Sequence, residues 1–241
     1  MDNSNLMNHL KVLIVIPAYN EDQIIRGLLL DIKHRCPDFS ILVVNDGSRD
    51  RTKQETESAG IRVVTHPFNL GIGGAVQTGY KIAFQENYDV VVQIDGDAQH
   101  DPAYLMNVLE PVLSDKLDLC VGSRFLHSES HFKSTFARRI GIRFFAWLLS
   151  QMTHIELTDP TSGFRATGKK LIPYFAEYYP IDFPEPEAIK IAKRLSARIG
   201  EVPVNMRKRS GGISSIRYLS TLYYMIKVTF AILIDTLKEK K

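Results

Sequence analysis

The first two thirds of the chain alternate short β-branched runs with segments of helical periodicity, and this alternation constrains the fold more than any other feature. The predicted strands are Lys11–Ile16, Ser40–Val44, Ile61–Thr65, Asp89–Ile94 and Leu117–Val121. Strands that alternate with helices form mostly parallel sheets with helices on both faces. The nearly continuous apolar character of the runs fits strands that are buried on both faces. We therefore predict an α/β fold around a mostly parallel central sheet.

The segments between these strands carry helix signals. Asn20–Asp31 begins with a residue suited to cap a helix, and Gly74–Gln85 has helical periodicity. Asp101 followed by Pro102 is typical of an N-cap and a first helical turn. The first strand is expected to stop at Pro17, because proline cannot donate a hydrogen bond to a neighbouring strand.

Composition excludes several classes of protein. Of the 241 residues, 44% are hydrophobic and 24% are charged, which excludes a disordered or collagen-like chain. A formal charge of +3 is too balanced to indicate nucleic-acid binding, so we expect no nucleic-acid partner. Two cysteines are too few for a disulfide framework or a thiolate zinc site. The N-terminus has no signal-peptide pattern, so a cytoplasmic protein is expected.

Two late segments have unusually wide apolar helical faces. Arg138–His154 and Ser220–Lys238 each leave only a narrow polar stripe at helical spacing. Such faces are buried in a core, against a partner or in the bilayer interface, and flanking basic residues favour an anionic surface. No charge-free apolar run reaches the ~18–20 residues of a membrane span. We expect one main domain over residues 1–215 and an amphipathic helix within residues 216–241, which contacts a membrane surface or another subunit.

The most informative motif is Asp95-Gly96-Asp97, which directly follows a predicted strand. Ligands of parallel sheets bind at the carboxyl ends of the strands. Two carboxylates that flank a glycine can both face one divalent cation, and Gln99 can add a carbonyl oxygen. Hard oxygen ligands suit Mg²⁺ or Mn²⁺. A solvated acidic turn is the alternative, but polar clusters at other strand ends favour the metal site.

Two other strand-end clusters can hold a nucleoside. Tyr19 can stack on a base and Glu21 can hydrogen-bond to a base edge or a ribose, both just past Pro17. Asp46, in the Asn-Asp-Gly-Ser segment, can accept a hydrogen bond from a base N–H. Each cluster taken alone is also ordinary loop chemistry.

A glycine-rich segment precedes the predicted helix Gly74–Gln85. Gly71 and Gly74 allow the backbone to approach a phosphate or a ribose closely. Val76 occupies the place of the third glycine of the dinucleotide-binding fingerprint, and the chain has no P-loop pattern. Dinucleotide-dependent dehydrogenases and P-loop NTPases are therefore disfavoured.

The second half of the chain carries charged residues suited to phosphates or to proton transfer. Arginine presents a fork that matches phosphate oxygens, and the candidates are Arg124, Arg138, Arg139, Arg165, Arg207 and Arg209. Glu185 and Glu187, in a proline-bracketed loop, are candidates for a general base or a sugar-binding group. A helix N-terminus enriched in acidic residues is the alternative. His66, His127 and His131 lack the spacing of metal ligands and are interpreted as structural or surface residues.

Taken together, the ordered motifs resemble family 2 inverting glycosyltransferases with the A-type nucleotide-sugar fold, or GT-A fold. The resemblance runs from Val12 to about Ser215 and rests on VIPAYNE, VVNDGSRDRT, NLGIGGA, QIDGDAQHDP, GSRF, DPTSGFRA and an RxxGxS-like segment at Arg209–Ser214. Within the family the chain is most similar to dolichyl- and undecaprenyl-phosphate sugar synthases. The longer members of that branch carry C-terminal transmembrane helices, whereas this chain has only the amphipathic Leu219–Leu237 segment, so a small membrane partner is one expectation.

The resemblance implies roles for matching positions. The nucleoside would be held by Pro17, Tyr19, Glu21 and Asp46, and the metal by Asp95, Asp97 and Gln99. Phosphates of acceptor and donor would be held by Arg124, one of Arg138 and Arg139, Ser162, and Arg207 or Arg209. The implied reaction moves a sugar from a nucleoside-diphosphate sugar, preferably a uridine diphosphate sugar, to a polyprenyl phosphate on the inner face of the cell membrane.

Other interpretations stay open at this stage. The acceptor can instead be a sugar hydroxyl of a cell-surface polysaccharide, in which case Glu185 or Glu187 is the candidate base. A nucleotide-binding scaffold without catalysis would leave the acidic pair without a purpose. A nucleotidyltransferase would need a glycine-rich phosphate loop after the first strand, which PAYNE does not supply. Exposed late helices would favour a homo-oligomer or a membrane complex.

Overall fold

The computed structural model describes residues 10–126, 136–181 and 184–207, with the backbone alone over residues 136–141. These residues form one seven-stranded sheet in the order β3-β2-β1-β4-β6-β5-β7. Its strands are β1 (Val12–Ala18), β2 (Ser40–Asn45), β3 (Arg62–Thr65), β4 (Val90–Gln93), β5 (Leu119–Ser123), β6 (Arg165–Gly168) and β7 (Ile199–Pro203).

The sheet is mostly parallel, as predicted, with one reversed strand. β1 pairs in parallel with β2 and β4, β2 with β3, and β5 with β7. β6 lies between β4 and β5 and is antiparallel to both. The residues that precede β6 therefore reach the same edge of the sheet as the residues that follow β4 and β5.

Helices cover both faces of the sheet. They are α1 (Ile25–Arg35), α2 (Thr52–Ser58), α3 (Gly71–Gln85), α4 (Leu105–Leu113), α5 (Phe136–Thr153), α6 (Ile172–Glu177) and α7 (Pro184–Arg194). Successive residues of a strand face opposite sides. Accordingly, Leu13 and Val15 pack into the core that contains α3, α6 and α7, whereas Ile14 and Ile16 pack into the core that contains α1 and α4.

Two local predictions are wrong at the start of the chain. β1 continues through Pro17 to Ala18, because these two residues still pair with Val44 and Asn45 of β2; the Pro17 carbonyl also accepts a hydrogen bond from Gly96 N at 3.2 Å. Asn20 does not cap a helix: it has a left-handed φ of 56°, and α1 begins only at Ile25. Its side chain instead accepts a hydrogen bond from Arg49 N at 2.9 Å, which joins the loops that follow β1 and β2.

The remaining elements extend the predicted pattern. Asp101 does cap a helical turn, accepting from Ala103 N at 3.0 Å before α4 begins. The sequence did not indicate β6 or β7, since neither is a run of β-branched residues: β6 carries the charged Arg165, and β7 contains a glycine, a glutamate and a proline. The Ser220–Lys238 segment and the boundary at residue 215 lie outside the described residues, so that domain division stays a prediction. Within the described ranges, no helix is both long and apolar enough to cross a membrane.

Close packing of α3 on β1 fixes one glycine of the fold. A Cβ at Gly79 would lie 2.7 Å from Val15 Cγ2 and would also meet Cγ1 of that side chain. Both partners are central to the core, so neither can withdraw without moving the strand. The glycine therefore sets the distance between the helix and the sheet.

We expect Gly79→Ala to lower the free energy of unfolding by about 1–3 kcal/mol, because the added methyl group overpacks the core. Gly27→Ala in α1 is the matched control, since nothing lies within 4 Å of a Cβ there. The control should raise stability by about 0.5–1 kcal/mol through helix propensity. Urea denaturation followed by circular dichroism measures both values, and equal effects of the two substitutions would contradict this packing.

Candidate active site

The polar clusters meet at one edge of the sheet. The carboxyl ends of β1, β2, β4 and β5 lie there, and the antiparallel β6 begins there, so the segment 159–164 joins them. This is the edge at which ligands bind in open parallel sheets. The structure thus assembles the DGDAQH, GSR and TSGFR segments, which lie up to about 70 positions apart in the sequence, into one site.

The acidic turn after β4 is held by close backbone packing. A Cβ at Gly96 would lie 2.9 Å from the Pro17 carbonyl oxygen. A Cβ at Gly163 would lie 2.9 Å from both Asp95 Oδ1 and Gln93 Nε2. Gly96 is therefore fixed by the backbone of β1, whereas a Cβ at Gly163 would displace the ends of the Asp95 and Gln93 side chains. The Asp95 carboxylate thus rests against the segment that leads into β6.

Contacts from the second half of the chain fix the rest of the turn. Asp95 N–H donates to His100 Nδ1 at 3.1 Å, and the His100 ring stacks on Phe164 with centroids 5.1 Å apart. Arg207 N–H donates to the Gln99 carbonyl oxygen at 2.8 Å, next to a β-bridge between His100 and Met206. The turn is thus held on one side by the start of β6 and on the other by the segment that follows β7.

The residues of this turn fit a divalent cation. Asp97 Oδ1 accepts from Gln99 N at 3.0 Å, which orients the second carboxylate, and both aspartates are partly exposed. Among the described residues, no three histidine, cysteine, aspartate or glutamate side chains are grouped to enclose an ion. Mg²⁺ and Mn²⁺ commonly use one or two carboxylates and complete their shell with water and phosphate oxygens. The donor set therefore suits a metal that also binds a ligand, and the metal roles of Asp95, Asp97 and Gln99 stay a prediction.

Glu185 is brought to the same site from α7. The predicted proline-bracketed loop is instead the first turn of that helix, so the backbone supports the alternative of an acidic helix N-terminus for Glu185 and Glu187. Burial raises the pKa of Glu185 to about 7; the Arg165 charge opposes this, and the Asp95 charge raises the pKa further. This carboxyl group therefore titrates near neutral pH within electrostatic reach of the acidic turn.

Arg165 is buried between the segment that leads into β6 and the first turn of α7. Its side chain is 1% exposed, and its guanidinium donates to the carbonyl oxygens of Ser162 and Glu185, the latter at 3.0 Å. These bonds tie the start of β6 to the first turn of α7. Arg165 was one of several arginine candidates in the sequence, and its burial shows that it supports the site from beneath.

Arg124, which directly follows β5, forms a buried ion pair with Asp159. Its Nε and Nη2 donate to the two carboxylate oxygens, with Nη2 2.6 Å from Oδ1, and its backbone N–H donates to Oδ2 at 3.1 Å. Burial opposes the charged form of Arg124, but the hydrogen bonds and charge of Asp159 outweigh it, so the pKa of Arg124 lies above its usual value. Asp95 contributes to that shift, which places the arginine within electrostatic reach of the acidic turn.

The predicted nucleoside residues lie around the ends of β1 and β2. Tyr19 is 43% exposed at the edge, and Glu21 N–H donates to Thr52 Oγ1 at 2.8 Å. Asp46 is buried, and its carboxylate accepts from Leu70 N at 2.8 Å and Gly71 N at 2.9 Å. Pro17 lies within β1. Asp46 thus organises the turn before α3, and the nucleoside roles of these residues stay predictions.

His66 supports Asp46 from beneath. Its Nδ1 lies 2.7 Å from Asp46 Oδ1, and its Nε2 lies 2.9 Å from Thr78 Oγ1. The interpretation of His66 as structural therefore fits its position. The histidine couples the loop after β3 to α3 and to the end of β2.

Two glycines of the glycine-rich segment, Gly73 and Gly74, pack closely against other residues of the chain. Gly71 has a φ of +83°, with nothing within 4 Å of a Cβ, and it begins α3 three residues earlier than predicted. A Cβ at Gly74 would lie 2.7 Å from Leu70 Cβ. Sequence analysis assigned no individual role to Gly73. A Cβ at this position would collide with the backbone of Pro180 and Ile181. A phosphate or ribose contact at Gly71 or Gly74 stays a prediction.

The other predicted phosphate residues fall into two groups. Arg207 has two carboxylate partners, Asp31 at 2.9 Å and Asp101 at 2.7 Å, and Ser162 is buried beside Asp159 with its N–H donating to the Asp159 carbonyl. The side chains of Arg138 and Arg139 and the whole of Arg209 lie outside the described residues. The phosphate roles of all five stay predictions.

Sequence reasoning did not assign roles to Asp159, Glu201 or Gly163. Glu201, on β7, accepts from Thr158 N at 2.8 Å and from Asp159 N at 2.9 Å. Asp159 and Gly163 both belong to the DPTSGFRA motif, and this motif was the sequence signal that could have indicated them. Their functions depend on contacts across the sheet that only the fold reveals.

Comparison with known proteins assigns the larger part of the chain to a family. The family model of Glycosyl transferase family 2 matches residues 13–175. The UDP-N-acetylglucosamine–dolichyl-phosphate N-acetylglucosaminyltransferase of Methanococcus voltae is 29% identical over 80% of this chain and 84% of its own. The undecaprenyl-phosphate mannosyltransferase of Micrococcus luteus is 30% identical over 86% of this chain and 88% of its own.

Solved structures show the same fold. A glucosyl-3-phosphoglycerate synthase from Mycobacterium tuberculosis, crystallised with Mn²⁺, uridine diphosphate and glucosyl-3-phosphoglycerate, superposes with a TM-score of 0.71. It covers 97% of this chain and 82% of its own at 21% identity, which carries the fold alone. The predicted fold class is therefore confirmed.

We expect Asp159→Asn to lower the free energy of unfolding by about 3–5 kcal/mol, because it leaves the Arg124 charge buried without its counter-charge. Glu86→Gln is the matched control, since it breaks a half-exposed ion pair with Arg62 and should cost less than about 1 kcal/mol. Chemical denaturation at neutral pH measures both variants. Similar losses would show that the Arg124–Asp159 pair is not the buried interaction described here.

Proposed function

The chain belongs to glycosyl transferase family 2, and from this premise we propose that it transfers a sugar from a nucleoside-diphosphate sugar to a polyprenyl phosphate with inversion at the anomeric carbon. The observation that carries the proposal is the meeting of the Asp95–Asp97 turn and Arg124 at one sheet edge. Two relatives of this chain are named for transfer to dolichyl phosphate and to undecaprenyl phosphate. Uridine diphosphate is the preferred nucleotide carrier, because the relative from Methanococcus voltae is named for a UDP-N-acetylglucosamine donor.

The donor would bind along the acidic turn. Asp95 and Asp97 would hold Mg²⁺ or Mn²⁺ with Gln99 nearby, and the bound metal supplies a Lewis acid that stabilises charge on the leaving diphosphate. Tyr19 is exposed at the adjacent strand end, where an aromatic ring can stack on the base. The contacts from His100 and from the backbone at Gly163 hold the turn in place before a ligand arrives.

The acceptor would bind beside Arg124. A phosphate monoester is already anionic, so its oxygen can attack the anomeric carbon without a general base. The cationic guanidinium orients that phosphate and reduces its repulsion from the donor diphosphate. Because Asp159 fixes the guanidinium plane through two hydrogen bonds, the arginine needs little reorganisation on binding.

A membrane-facing surface would serve a lipid acceptor. Phe144 and Trp147 of α5 are exposed, with ring centroids 6.2 Å apart, and Arg143 beside them is exposed too. Exposed aromatic rings with a neighbouring cation suit the interface of an anionic bilayer. We therefore place the protein peripherally on the inner face of the cell membrane, with a small membrane protein or a second copy of the chain as further partners.

The second candidate function is transfer to a sugar hydroxyl of a cell-surface polysaccharide. One observation favours it: Glu185, with a pKa of about 7, stands within electrostatic reach of Asp95. A carboxyl group that titrates near neutral pH is suited to take the proton of an attacking hydroxyl. The two candidates share the fold, the donor and the metal, so the acceptor alone separates them.

The proposed function is tested by incubating the purified protein with labelled nucleotide sugars, Mn²⁺ and undecaprenyl phosphate, and then extracting lipid product. We expect label in the organic phase for at least one donor, and Asp97→Ala should lower that signal by about 10²–10³-fold. Asp38→Ala, at an exposed position, is the control and should retain full activity. Label that stays in the aqueous phase for every donor would rule out the lipid-phosphate acceptor.

The role of Glu185 is tested by comparing acceptors. On a lipid phosphate, Glu185→Gln should keep turnover within a few-fold of the unmodified protein, because no base is needed. On a sugar hydroxyl, the same variant should lose about 10²–10⁴-fold. Glu57→Gln, at an exposed position of α2, is the control and should keep turnover on both acceptors. A large loss on lipid phosphate from Glu185→Gln would contradict the base-free mechanism.

Membrane contact is tested by flotation with vesicles that contain anionic lipid. Trp147→Ser should weaken partitioning about tenfold, because the indole no longer leaves water on binding. Phe84→Ser removes an aromatic side chain that is 53% exposed on α3 and should leave partitioning unchanged. Equal partitioning of all three proteins would place the membrane contact elsewhere.

A further inference from the structure

The loop that carries Asp159 is held by hydrogen bonds to the carboxylate of Glu201. Glu201 Oε1 accepts from Asp159 N at 2.9 Å, and Oε2 accepts from Thr158 N at 2.8 Å and from the Thr158 hydroxyl. Each oxygen of Glu201 thus binds one of two consecutive backbone N–H groups. This bidentate arrangement fixes the orientation of the peptide between Thr158 and Asp159.

The position of Glu201 on the sheet makes this contact rigid. Glu201 lies on β7 in register with Val121 of β5, two residues before Ser123. Ser123 Oγ in turn contacts the Thr158 hydroxyl. The loop is therefore fastened to both strands that end beneath it, and Arg124 continues directly from one of them.

The carboxylates of Glu201 and Asp159 lie close together away from water, which is electrostatically unfavourable. Burial raises the pKa of Glu201; hydrogen bonds from Thr158 and Asp159 oppose this, and the negative charge of Asp159 raises the pKa further. A partly buried carboxylate next to a buried carboxylate is unfavourable unless both are well bonded. Asp159 is 0% exposed, so its own orientation depends on the backbone that Glu201 holds.

We propose that Glu201 is a positioning residue that acts through Asp159 to hold the Arg124 guanidinium in the orientation that receives the acceptor phosphate. The chain of contacts runs from Glu201 to the backbone of Asp159, and from the Asp159 carboxylate to Nε and Nη2 of Arg124. Thr161 completes it by accepting from Nη2 at 3.0 Å. The identity of the ligand, a phosphate acceptor, rests on the proposed function. The coupling of Glu201 to Arg124 does not depend on that function.

The first experiment measures steady-state kinetics of Glu201→Gln. The amide cannot accept from both backbone N–H groups, so the KM for undecaprenyl phosphate should rise about tenfold. The KM for the nucleotide sugar and kcat should change less than about twofold. Glu110→Gln, at an exposed position of α4, is the matched control and should match the unmodified protein. Equal changes in the KM of donor and acceptor would overturn the proposal.

A double-mutant cycle separates positioning from a general structural role. In the Arg124→Lys background, Glu201→Gln should raise the acceptor KM less than about twofold, because the group that it positions is gone. An undiminished effect in that background would show that Glu201 does not act through Arg124. Thr158→Val removes the hydroxyl that donates to Glu201 and contacts Ser123 Oγ, while both backbone N–H groups still bond to Glu201. It provides a milder variant if Glu201→Gln does not fold, and it should show the same non-additivity.

A measurement without substrate separates this inference from the proposed function. Arginine side-chain NMR reports the Nε–H of Arg124, assigned by its loss in Arg124→Lys. In the unmodified protein this proton should exchange slowly, and in Glu201→Gln at least about tenfold faster. Unchanged exchange would overturn the positioning role. Faster exchange in a protein that makes no lipid product would support the positioning role while the proposed acceptor fails.

Discussion

The reversed strand β6 is the constraint on which the site depends. Because it runs antiparallel between β4 and β5, the chain that enters it passes directly beside the end of β4. Gly163 then lies against the Asp95 carboxylate, where an added Cβ would come within 2.9 Å of Oδ1. A parallel strand in that place would carry the TSGFR segment to the opposite edge, and the acidic turn would lose its support. The site is therefore a consequence of strand direction as much as of residue identity.

Much of this arrangement could be predicted from the chain alone. The five β-branched runs and the strand-end position of Asp95 and Asp97 follow from local pattern, and the structure contains all five strands. What escaped prediction depends on distant partners. Pro17 stays in a strand because it pairs with Val44 of β2, and Asn20, which has a left-handed φ, bonds through its side chain to the loop after β2. Neither contact leaves a signal in the nearby sequence.

Some residues of the candidate site could likewise be predicted from the sequence, and others could not. Chemistry-bearing types such as Asp95, Asp97 and Arg124 are recognisable from motif and position. Supporting groups are not, since Glu201 and Asp159 are separated by 42 positions and meet only through β7. A glutamate in a short, mixed strand has the same local appearance as one on the surface. Its importance comes from the two backbone N–H groups that it binds, and only the fold brings those groups to it.

The clamp on the acidic turn by the segment after β7 has a consequence for biosynthesis. Arg207 bonds to the Gln99 carbonyl, and Met206 forms a bridge to His100, so the last described residues complete the turn that the first hundred residues begin. A ribosome must therefore deliver nearly all of the described chain before the acidic turn gains these contacts. The contacts of Met206 and Arg207 with the turn can form only after these residues have left the exit tunnel, so this support is among the last contacts of the described chain to form.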